Sequence, residues 1–269
     1  MPVKFETELP SRLDFTVNAS QQAAEFIMCH YQSPELAVKR KRDASPVTAA
    51  DRGAEELLRR LISIQYPTDG ILGEEFEEKP GTSGWRWILD PVDGTKSFIH
   101  GVPLFGTLIG LEYEQKQVLG LCRFPALDEV VFAAAGMGAW WQIGQNHRRP
   151  ARASDVKKLD EAVFCTTTIQ GWRRVGRQAA FDTLCDRAAI SRGWGDCYGH
   201  ILVATGRADL MVDPLLNPWD CAALVPIMQE AGGHFVDFNG EVTIHSNNGI
   251  SVNSHLRDAV LEILQTPEN

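Results

Sequence analysis

The chain has 269 residues, of which 44% are hydrophobic and 23% charged, and its formal net charge at pH 7 is −9. This composition is that of a globular protein with one large or two medium-sized domains, and it excludes a disordered or collagen-like chain. An acidic chain is also a poor candidate for binding nucleic acid, because that affinity comes from neutralising phosphates with Lys and Arg. A phosphorylated small molecule can still bind if a metal ion supplies local positive charge.

The first residues of the chain show no apolar segment typical of a signal peptide, and no run of 18 apolar residues predicts a transmembrane helix. The six cysteines are scattered, and no two have Cys-x-x-Cys spacing, which argues against a zinc ribbon or a thioredoxin-like site. We therefore expect a cytoplasmic protein with reduced, mostly buried thiols.

In the first half of the chain, the hydrophobic spacing predicts two helices followed by an antiparallel set of strands. The helices are expected over 11–31 and 48–65. Between them lies the basic segment Lys39-Arg40-Lys41-Arg42, which we interpret as a solvated loop. The predicted strands cover 87–89, 105–113, 117–124, 129–134 and 139–143.

After about residue 150, the pattern changes to alternating helices and short strands. Strands are expected over 162–166, 210–212 and 249–252. Helices are expected over 177–188, 199–205, 221–231 and 254–265. The sequence therefore predicts an α+β half over 1–150 and an α/β half over 151–269.

The most informative segment is Trp87-Ile-Leu-Asp90-Pro-Val-Asp93-Gly-Thr95. An apolar strand reaches Asp90 and is stopped by a proline, Asp93-Gly94 is typical of a turn, and Thr95 can begin a helix. Two carboxylates would then lie beside a helix N-terminus. Carboxylates bind hard divalent cations, and helix N-termini bind phosphate. The alternative is a capped turn, in which both acids only accept bonds from backbone N–H groups.

Further acidic positions could contribute to the same site. Glu74 and Glu75 follow an apolar pair, and adjacent residues at a strand end point to opposite faces, so one can face a metal while the other supports it. Asp220 stands at the start of a predicted helix, and Asp51 follows Thr48 at capping-box spacing. The alternatives are a surface Glu–Glu pair, an N-cap and a capping box without chemical function.

In combination, these motifs resemble the inositol monophosphatase superfamily of Mg²⁺-dependent, lithium-sensitive phosphatases. The resemblance extends over about residues 15–265 and rests on three segments in matching order and spacing: Gly73-Glu74-Glu75, Asp90-Pro-Val-Asp93-Gly-Thr95, and Trp219-Asp220 with the later Ala222 and Gly232-Gly233. It implies a layered α-β-α-β-α sandwich of the inositol monophosphatase and fructose-1,6-bisphosphatase type. The resemblance also implies that the site lies between the two halves and that the protein is a homodimer.

The resemblance assigns a role to each position. The implied metal ligands, for two Mg²⁺ ions bridged by one shared carboxylate, are Glu74, Asp90, the Val92 carbonyl, Asp93 and Asp220. Asp51 and Thr95 would orient and deprotonate the attacking water, since a threonine is too weak a base without an acceptor for its own proton. Glu75 would support these catalytic residues or help to place a third, weaker ion, and Mn²⁺ could substitute for Mg²⁺. No phosphoenzyme is expected, because water is the nucleophile.

Histidinol phosphate, an intermediate of histidine biosynthesis, is the expected substrate. Asp196 occupies a segment where inositol-directed members tend to have small residues, and a substrate ammonium group favours carboxylates such as Asp196 and Asp213. The expected substrate contacts are Gly94, Thr95, Lys96, Gly195, Asp196, Asp213 and Asn217. The alternative for Asp196 is a helix cap before Tyr198.

Several other functions stay open at this point. The substrate could be an inositol phosphate or another small phosphomonoester, and Asp213 does not discriminate between them because an acid also serves inositol hydroxyls. A regulatory or binding member of the family is a non-enzymatic alternative. An aspartyl-nucleophile phosphatase needs Asp-x-Asp, whereas Asp90 and Asp93 are three residues apart. No nucleic-acid or membrane partner is expected.

Overall fold

The computed structural model describes residues 2–40 and 46–266. The helices formed by these residues are Pro2–Met28 (α1), Ala49–Gln65 (α2), Thr95–Ile99 (α3), Ile169–Arg174 (α4), Gln178–Arg187 (α5), Asp196–Ala204 (α6), Pro218–Cys221 (α7), Leu224–Glu230 (α8) and Arg257–Gln265 (α9). The strands are Lys39–Arg40 (β1), Pro46–Val47 (β2), Gly70–Gly73 (β3), Trp85–Asp93 (β4), Gly106–Tyr113 (β5), Lys116–Phe124 (β6), Glu129–Ala134 (β7), Ala139–Ile143 (β8), Arg149–Pro150 (β9), Val163–Cys165 (β10), Ile190–Arg192 (β11), Leu210–Asp213 (β12), Gly233–Val236 (β13) and Gly249–Asn253 (β14).

The larger sheet contains seven strands in chain order, from β3 to β9. Only the first pair, β3 and β4, is parallel, and the other neighbours are antiparallel. The two-residue turn between β5 and β6 consists of Glu114 and Gln115, with φ of 47° and 66°. Positive φ at both positions is the geometry whose twist matches a hairpin. The antiparallel run predicted over 105–143 is confirmed.

The smaller sheet has the strand order β11-β10-β12-β14-β13. Strand β10 is parallel to both β11 and β12, whereas β14 is antiparallel to β12 and β13. Parallel neighbours need crossover connections, and here α4 and α5 join β10 to β11, while α6 joins β11 to β12.

The helices and the two sheets form five layers. Helices α1 and α2 cover one face of the larger sheet, where Leu58 shares a core with Trp87. Helices α6 and α8 lie between the sheets, and their core joins Ile201 to Met211 of the smaller sheet. Helices α5 and α9 cover the outer face of the smaller sheet, with Leu261 in that core. The α-β-α-β-α sandwich is therefore confirmed.

The middle helices approach the larger sheet closely at two glycines. A Cβ on Gly120 would lie 1.9 Å from the Ala223 carbonyl oxygen, and a Cβ on Gly110 would lie 2.7 Å from the Ala222 Cβ. The helix expected over 221–231 is interrupted at this point, between α7 and α8. Pro226 accounts for part of the break, because it has no N–H to donate to the carbonyl four residues earlier.

Other predicted elements differ from the structure mainly at their ends. The first helix begins at Pro2 and ends at Met28 instead of covering 11–31, and Leu9 is buried in the same core as Leu13 one turn later. Elements α4, β11 and β13 were not predicted. The basic segment is no simple loop, since Lys39 and Arg40 form β1, while Lys41 and Arg42 lie outside the described residues. The division of the chain at residue 150 stays a prediction.

The structure can be compared with the expectations about the cysteines and about transmembrane helices. All six cysteines are free thiols, and four of them are buried. Among the described residues, no helix has both the length and the apolar character needed to cross a membrane.

Candidate active site

Asp90 and Asp93 lie where the ladder between β4 and β5 is interrupted. Pairing is regular as far as Asp90 and resumes at Asp93, which is opposite Gly106. Pro91 has no N–H for the ladder, and its carbonyl accepts a bond from the Thr107 hydroxyl at 2.8 Å. In a regular strand, residues three apart face opposite sides of the sheet, but one extra residue reverses this alternation. The bulge therefore brings both carboxylates to the same side.

Asp220 reaches the same point from α7. Carboxylate oxygens of Asp90, Asp93 and Asp220 all lie within 4.8 Å of one another. The helix begins earlier than expected, because Asn217 is the N-cap and Asp220 is the third helical residue. Asp220 Oδ2 closes this capping box by accepting the Asn217 N–H at 2.7 Å. The cap uses only Oδ2, so Oδ1 remains available to the other two acids.

The environment of these three carboxylates disfavours their ionised forms. Burial, and then the negative charge of Glu74, raises the pKa of Asp90 well above its usual value. Burial and the charge of Asp220 raise the pKa of Asp93 to about 7, although the Cys197 N–H bond at 2.5 Å acts against this shift. Burial also raises the pKa of Asp220 to about 7. Three acids have thus been brought together with no paired Lys or Arg among the described residues.

The donor set fits a divalent cation. In the described part of the chain, no Lys or Arg forms an ion pair with Asp90, Asp93 or Asp220, and the ion pairs that Arg residues do form are with other acids. A bound cation would remove the repulsion among these oxygens, and carboxylates are the ligands that Mg²⁺ and Mn²⁺ prefer. The acidic cluster is therefore a candidate metal centre. Val92, whose carbonyl is a predicted ligand, is fully buried between the first two acids.

Asp51 combines a structural contact with a contact to the candidate centre. Its Oδ2 accepts bonds from the Thr48 N–H at 2.8 Å and the Thr48 hydroxyl at 2.6 Å, and this closes the capping box of α2. Its Oδ1 lies 3.2 Å from Thr95 Oγ1, which is also 3.1 Å from the Val92 carbonyl. Burial raises the pKa of Asp51, although the bonds from Thr48 act in the opposite direction. Capping and contact with Thr95 thus use different oxygens of the same carboxylate.

Glu74 and Glu75 form a turn directly after β3. The charge of Glu74 acts on Asp90, Asp93 and Asp220, although Glu74 is not part of the set within 4.8 Å. The N–H of Glu75 donates to Oε2 of Glu55 at 2.7 Å. Glu55 thus attaches the turn to α2.

The predicted substrate residues of the first half meet Asp196 at the N-terminus of α6. Gly94 has φ of 81°, and a Cβ at this position would lie 3.1 Å from Asp196 Oδ2. The exposed Lys96 lowers the pKa of Asp196, but burial and the charges of Asp93 and Asp213 dominate and raise it well above its usual value. Asp196 itself has φ of 51°, a left-handed conformation that L-residues rarely adopt.

Thr167 connects Asp196 to Asp213. Asp213 accepts the Thr167 N–H on Oδ1 at 2.8 Å and the Thr167 hydroxyl on Oδ2 at 2.6 Å. The Asp196 N–H donates to Thr167 Oγ1 at 2.7 Å. A Cβ on Gly195 would lie 2.5 Å from the Thr167 Cα, so glycine permits this approach. Asn217, also a predicted substrate contact, is exposed.

One cavity brings the two groups of acids together. Its lining includes Asp93 and Asp220 of the acidic cluster together with Asp196 and Asp213. The sequence predicted these four residues, although they come from different elements of both halves.

Three residues of this region were not predicted. Glu55 could have been found, because Asp51, Glu55 and Arg59 recur every four residues and therefore share one face of α2. Thr167 and His200 carry no such signal. Each contacts the site only because β10, β12 and α6 meet in space.

The comparisons with known proteins agree with this geometry. Residues 9–267 match the model of the inositol monophosphatase family. A histidinol-phosphatase of Chlorobaculum parvum is 42% identical over 88% of this chain and 90% of its own length. A histidinol-phosphatase of Mycobacterium tuberculosis is 34% identical over 90% of this chain and 93% of its own length.

A solved structure agrees with the fold as well. The extragenic suppressor protein suhB from Bartonella henselae superposes with a TM-score of 0.88 at 30% identity, covering 96% of this chain and 100% of that protein. The match thus extends over both sheets and the site between them. The chain therefore belongs to the inositol monophosphatase family and is a phosphoric monoester hydrolase.

Proposed function

We propose that this enzyme hydrolyses L-histidinol phosphate to L-histidinol and phosphate, with Mg²⁺ held by the acidic cluster. The observation that carries the proposal is the shared cavity, in which Asp196 and Asp213 stand beside Asp93 and Asp220. A phosphate ester that also bears an ammonium group offers a negative end to bound metal and a positive end to the second pair of acids. The histidinol-phosphatase relatives support this choice of substrate.

The proposed metal ligands, which would hold the Mg²⁺ ions, are Glu74, Asp90, the Val92 carbonyl, Asp93 and Asp220. Bound Mg²⁺ would offset the charge of the phosphoryl oxygens and of the leaving oxygen and would lower the pKa of a water molecule. The backbone N–H groups of Gly94 and Thr95 and the Lys96 ammonium group would bind phosphate oxygens. We propose that Glu75 supports this region through the turn that Glu55 holds.

We propose that Thr95 and Asp51 move one proton. The Thr95 hydroxyl has a single proton, yet it lies within hydrogen-bond distance of two acceptors, Asp51 Oδ1 and the Val92 carbonyl. It can give that proton to only one of them while its oxygen accepts a proton from the attacking water. Asp51 is the acceptor that can retain the proton, because burial has raised its pKa.

Asp196 and Asp213 would bind the ammonium group of the substrate. Burial and neighbouring negative charges disfavour the ionised form of Asp196. A bound ammonium group would pair with this carboxylate and would also reduce its repulsion with the neighbouring acids. Gly195 and Asn217 would complete this side of the cavity. An inositol ring carries no positive charge and would leave the repulsion in place.

The test is a side-by-side assay of phosphate release from histidinol phosphate, myo-inositol 1-phosphate, fructose 1,6-bisphosphate and adenosine 3′,5′-bisphosphate, each with Mg²⁺ and with EDTA. We expect histidinol phosphate to have the highest kcat/KM and EDTA to abolish release. In Asp196→Ala, kcat/KM should fall about 10–100-fold for histidinol phosphate, because a hydrogen bond to a charged group is lost. For the other esters it should fall much less. Asp186→Ala, an exposed acid on α5, is the matched control.

Two results would contradict this proposal. Equal losses on all four esters in Asp196→Ala would mean that Asp196 does not recognise the amine. Phosphate release that persists in EDTA would exclude the metal centre.

The finer expectations from the family resemblance belong to the same proposal. These are inhibition by Li⁺, replacement of Mg²⁺ by Mn²⁺, a homodimer, a cytoplasmic location and a place in histidine biosynthesis.

A further inference from the structure

His200 is a buried histidine on α6 that lines the cavity of the proposed site. Only 1% of its surface is exposed. One ring nitrogen, Nδ1, lies 2.8 Å from the hydroxyl of Ser251 in β14, which is also fully buried. The other nitrogen, Nε2, has no hydrogen-bond partner within the described structure and lies 3.5 Å from Asp213 Oδ2.

The neighbours of the ring decide which nitrogen carries a proton. A carboxylate oxygen only accepts hydrogen bonds, so the nitrogen that faces Asp213 favourably is a protonated Nε2. In neutral His200, Nδ1 then accepts the proton of the Ser251 hydroxyl. Ser251 thereby fixes both the tautomer and the orientation of the ring, as a partner on the far nitrogen commonly does.

Two hydrogen bonds from Thr167 hold the Asp213 carboxylate, and the His200 ring is a third polar neighbour. Thr167 donates its N–H to Oδ1 and its hydroxyl to Oδ2. Nε2 of His200 lies 3.5 Å from Oδ2, and a shift of about 0.5 Å would bring a protonated Nε2 to ordinary hydrogen-bond distance. Oδ2 would then have two donors, and one lone pair of Oδ1 would remain for a ligand in the cavity.

The same contacts extend to Asp196. Because the Asp196 N–H donates to the Thr167 hydroxyl oxygen, a rotation of Asp213 would also displace the backbone of Asp196. The left-handed φ of Asp196 would then lose part of its support. A single orienting contact at Asp213 therefore affects both acids proposed to bind the ammonium group.

We propose that His200 is a positioning residue that fixes Asp213, and through Thr167 also Asp196, and thereby sets the selectivity of the site for phosphate esters that bear an ammonium group. This inference rests on the proposed function. The polar contacts of His200 in the described structure are to Ser251 and Asp213 and not to the acidic cluster. Its effect is expected in substrate binding rather than in the chemical step.

The test compares His200→Leu with His200→Gln, whose side-chain amide can still donate toward Asp213. Histidinol phosphate and 4-nitrophenyl phosphate, which has no amine, are assayed with each Mg²⁺-loaded variant. For His200→Leu we expect KM for histidinol phosphate to rise at least 10-fold while kcat changes less than 3-fold, and kcat/KM for 4-nitrophenyl phosphate to change less than 3-fold. His200→Gln should recover most of the KM. The exposed His255 supplies the control, His255→Leu.

A nitrogen-15 NMR spectrum of the histidine rings tests the orientation without any substrate. In the wild-type protein, His200 should show a protonated Nε2 and an unprotonated Nδ1, and Ser251→Ala should shift its Nδ1 signal. A protonated Nδ1 with a bare Nε2 would overturn the inference, and so would equal losses on both esters in a folded His200→Leu protein. If the wild type has normal phosphatase activity but no preference for histidinol phosphate, the proposed substrate is wrong, and the selectivity assigned to His200 is wrong with it. The NMR result then reports on the contact to Asp213 alone.

Discussion

The protein buries acids in two settings, which differ in what surrounds the carboxylate. Asp69 is buried beneath α1, where it accepts bonds from the Arg12 guanidinium at 2.5 Å, the Trp87 indole at 2.9 Å and the Ser83 hydroxyl at 2.7 Å. Asp90 is equally buried, with 1% of its surface exposed, but its surroundings are other acids and the Val92 N–H. Among the described residues, the chain thus supplies a cation to Asp69 and none to Asp90.

This difference separates acids that stabilise the fold from acids that serve chemistry. A buried charge costs free energy unless it is paired, so a cluster of unpaired acids persists only where a ligand completes it. Removing an acid from the cluster should therefore cost activity, whereas removing a partner of Asp69 should cost stability. The predictions below apply that distinction, beginning with the largest expected effect.

Asp93→Asn should lower kcat/KM by roughly 10⁴-fold, about 5.5 kcal/mol in the activation barrier, because it removes a proposed metal ligand. In the absence of metal, the free energy of unfolding at pH 8 should stay the same or increase, because one of the mutually repelling charges has gone. Phosphate release and urea denaturation in EDTA measure the two effects. A strongly destabilised apoprotein would place Asp93 among the structural acids.

Arg12→Met should show the opposite behaviour. It leaves the buried Asp69 carboxylate without its cation, which should lower the free energy of unfolding by about 3–5 kcal/mol. Activity per folded molecule should stay within about twofold of wild type, because the polar partners of Arg12 are Asp69 and Glu8, which are not residues of the site. Urea denaturation and an active-site titration give these values. A large loss of kcat in the folded fraction would contradict the division into acids that stabilise the fold and acids that serve catalysis.

Mg²⁺ should stabilise the wild-type protein by about 2.7 kcal/mol when its concentration is 100 times Kd, since a ligand of the native state shifts unfolding by mass action. Asp93→Asn should lose most of this gain, and Arg12→Met should retain it. Thermal melts over a range of Mg²⁺ concentrations measure the effect. Equal stabilisation of all three proteins would mean that Mg²⁺ binds elsewhere.

The smallest expected effect is the contribution of Asp237 to the pH dependence of stability. Its hydrogen bonds determine the direction of that dependence. Burial raises the pKa of Asp237, but bonds from the Glu241 N–H at 2.9 Å, the Ser246 hydroxyl at 2.8 Å and Asn239 outweigh burial and lower the pKa overall. The folded state therefore binds this proton less tightly than the unfolded state does. The stabilisation is present above the unfolded pKa of about 3.9 and is lost as the pH falls through the lower, folded pKa.

Comparison of wild type with Asp237→Asn tests this assignment. The difference in the free energy of unfolding should be about 1 kcal/mol at pH 6 and should shrink as the pH falls below about 4. Urea denaturation at several pH values provides the measurement. A difference that grows toward low pH would contradict the assignment.

The sequence was most informative where periodicity and local chemistry agree. Helix α2 with its Thr48 cap and the hairpin strands β5 to β8 follow from patterns a few residues long. Asp90 and Asp93 were found because a strand, a proline and a turn occur within one segment. The short strands β11 and β13 were missed because each mixes polar and apolar residues over three or four positions, whereas the equally short β10 and β12 are mainly apolar.

What the sequence could not predict is how distant segments converge. The Cys197 N–H bond to Asp93 joins residues 104 positions apart, and the Thr167 bonds to Asp213 join residues 46 apart. No local pattern encodes such contacts, because the packing of two sheets on a shared helix layer creates them. From the sequence alone, His200 is indistinguishable from an ordinary buried histidine. Only the structure shows Ser251 and Asp213 on either side of its ring.

The contact of Ala222 and Ala223 with Gly110 and Gly120 bears on how this enzyme can evolve. That contact comes directly after Asp220 in the chain, and it packs the Ala222 Cβ and the Ala223 backbone against two positions without side chains. Every substitution at either glycine adds atoms, so the spacing cannot be altered there in small steps. Thr167, Asp196 and Asp213 lie away from this contact. Substitutions at these three residues can therefore change the preferred ester during evolution, while the spacing of the acids stays the same.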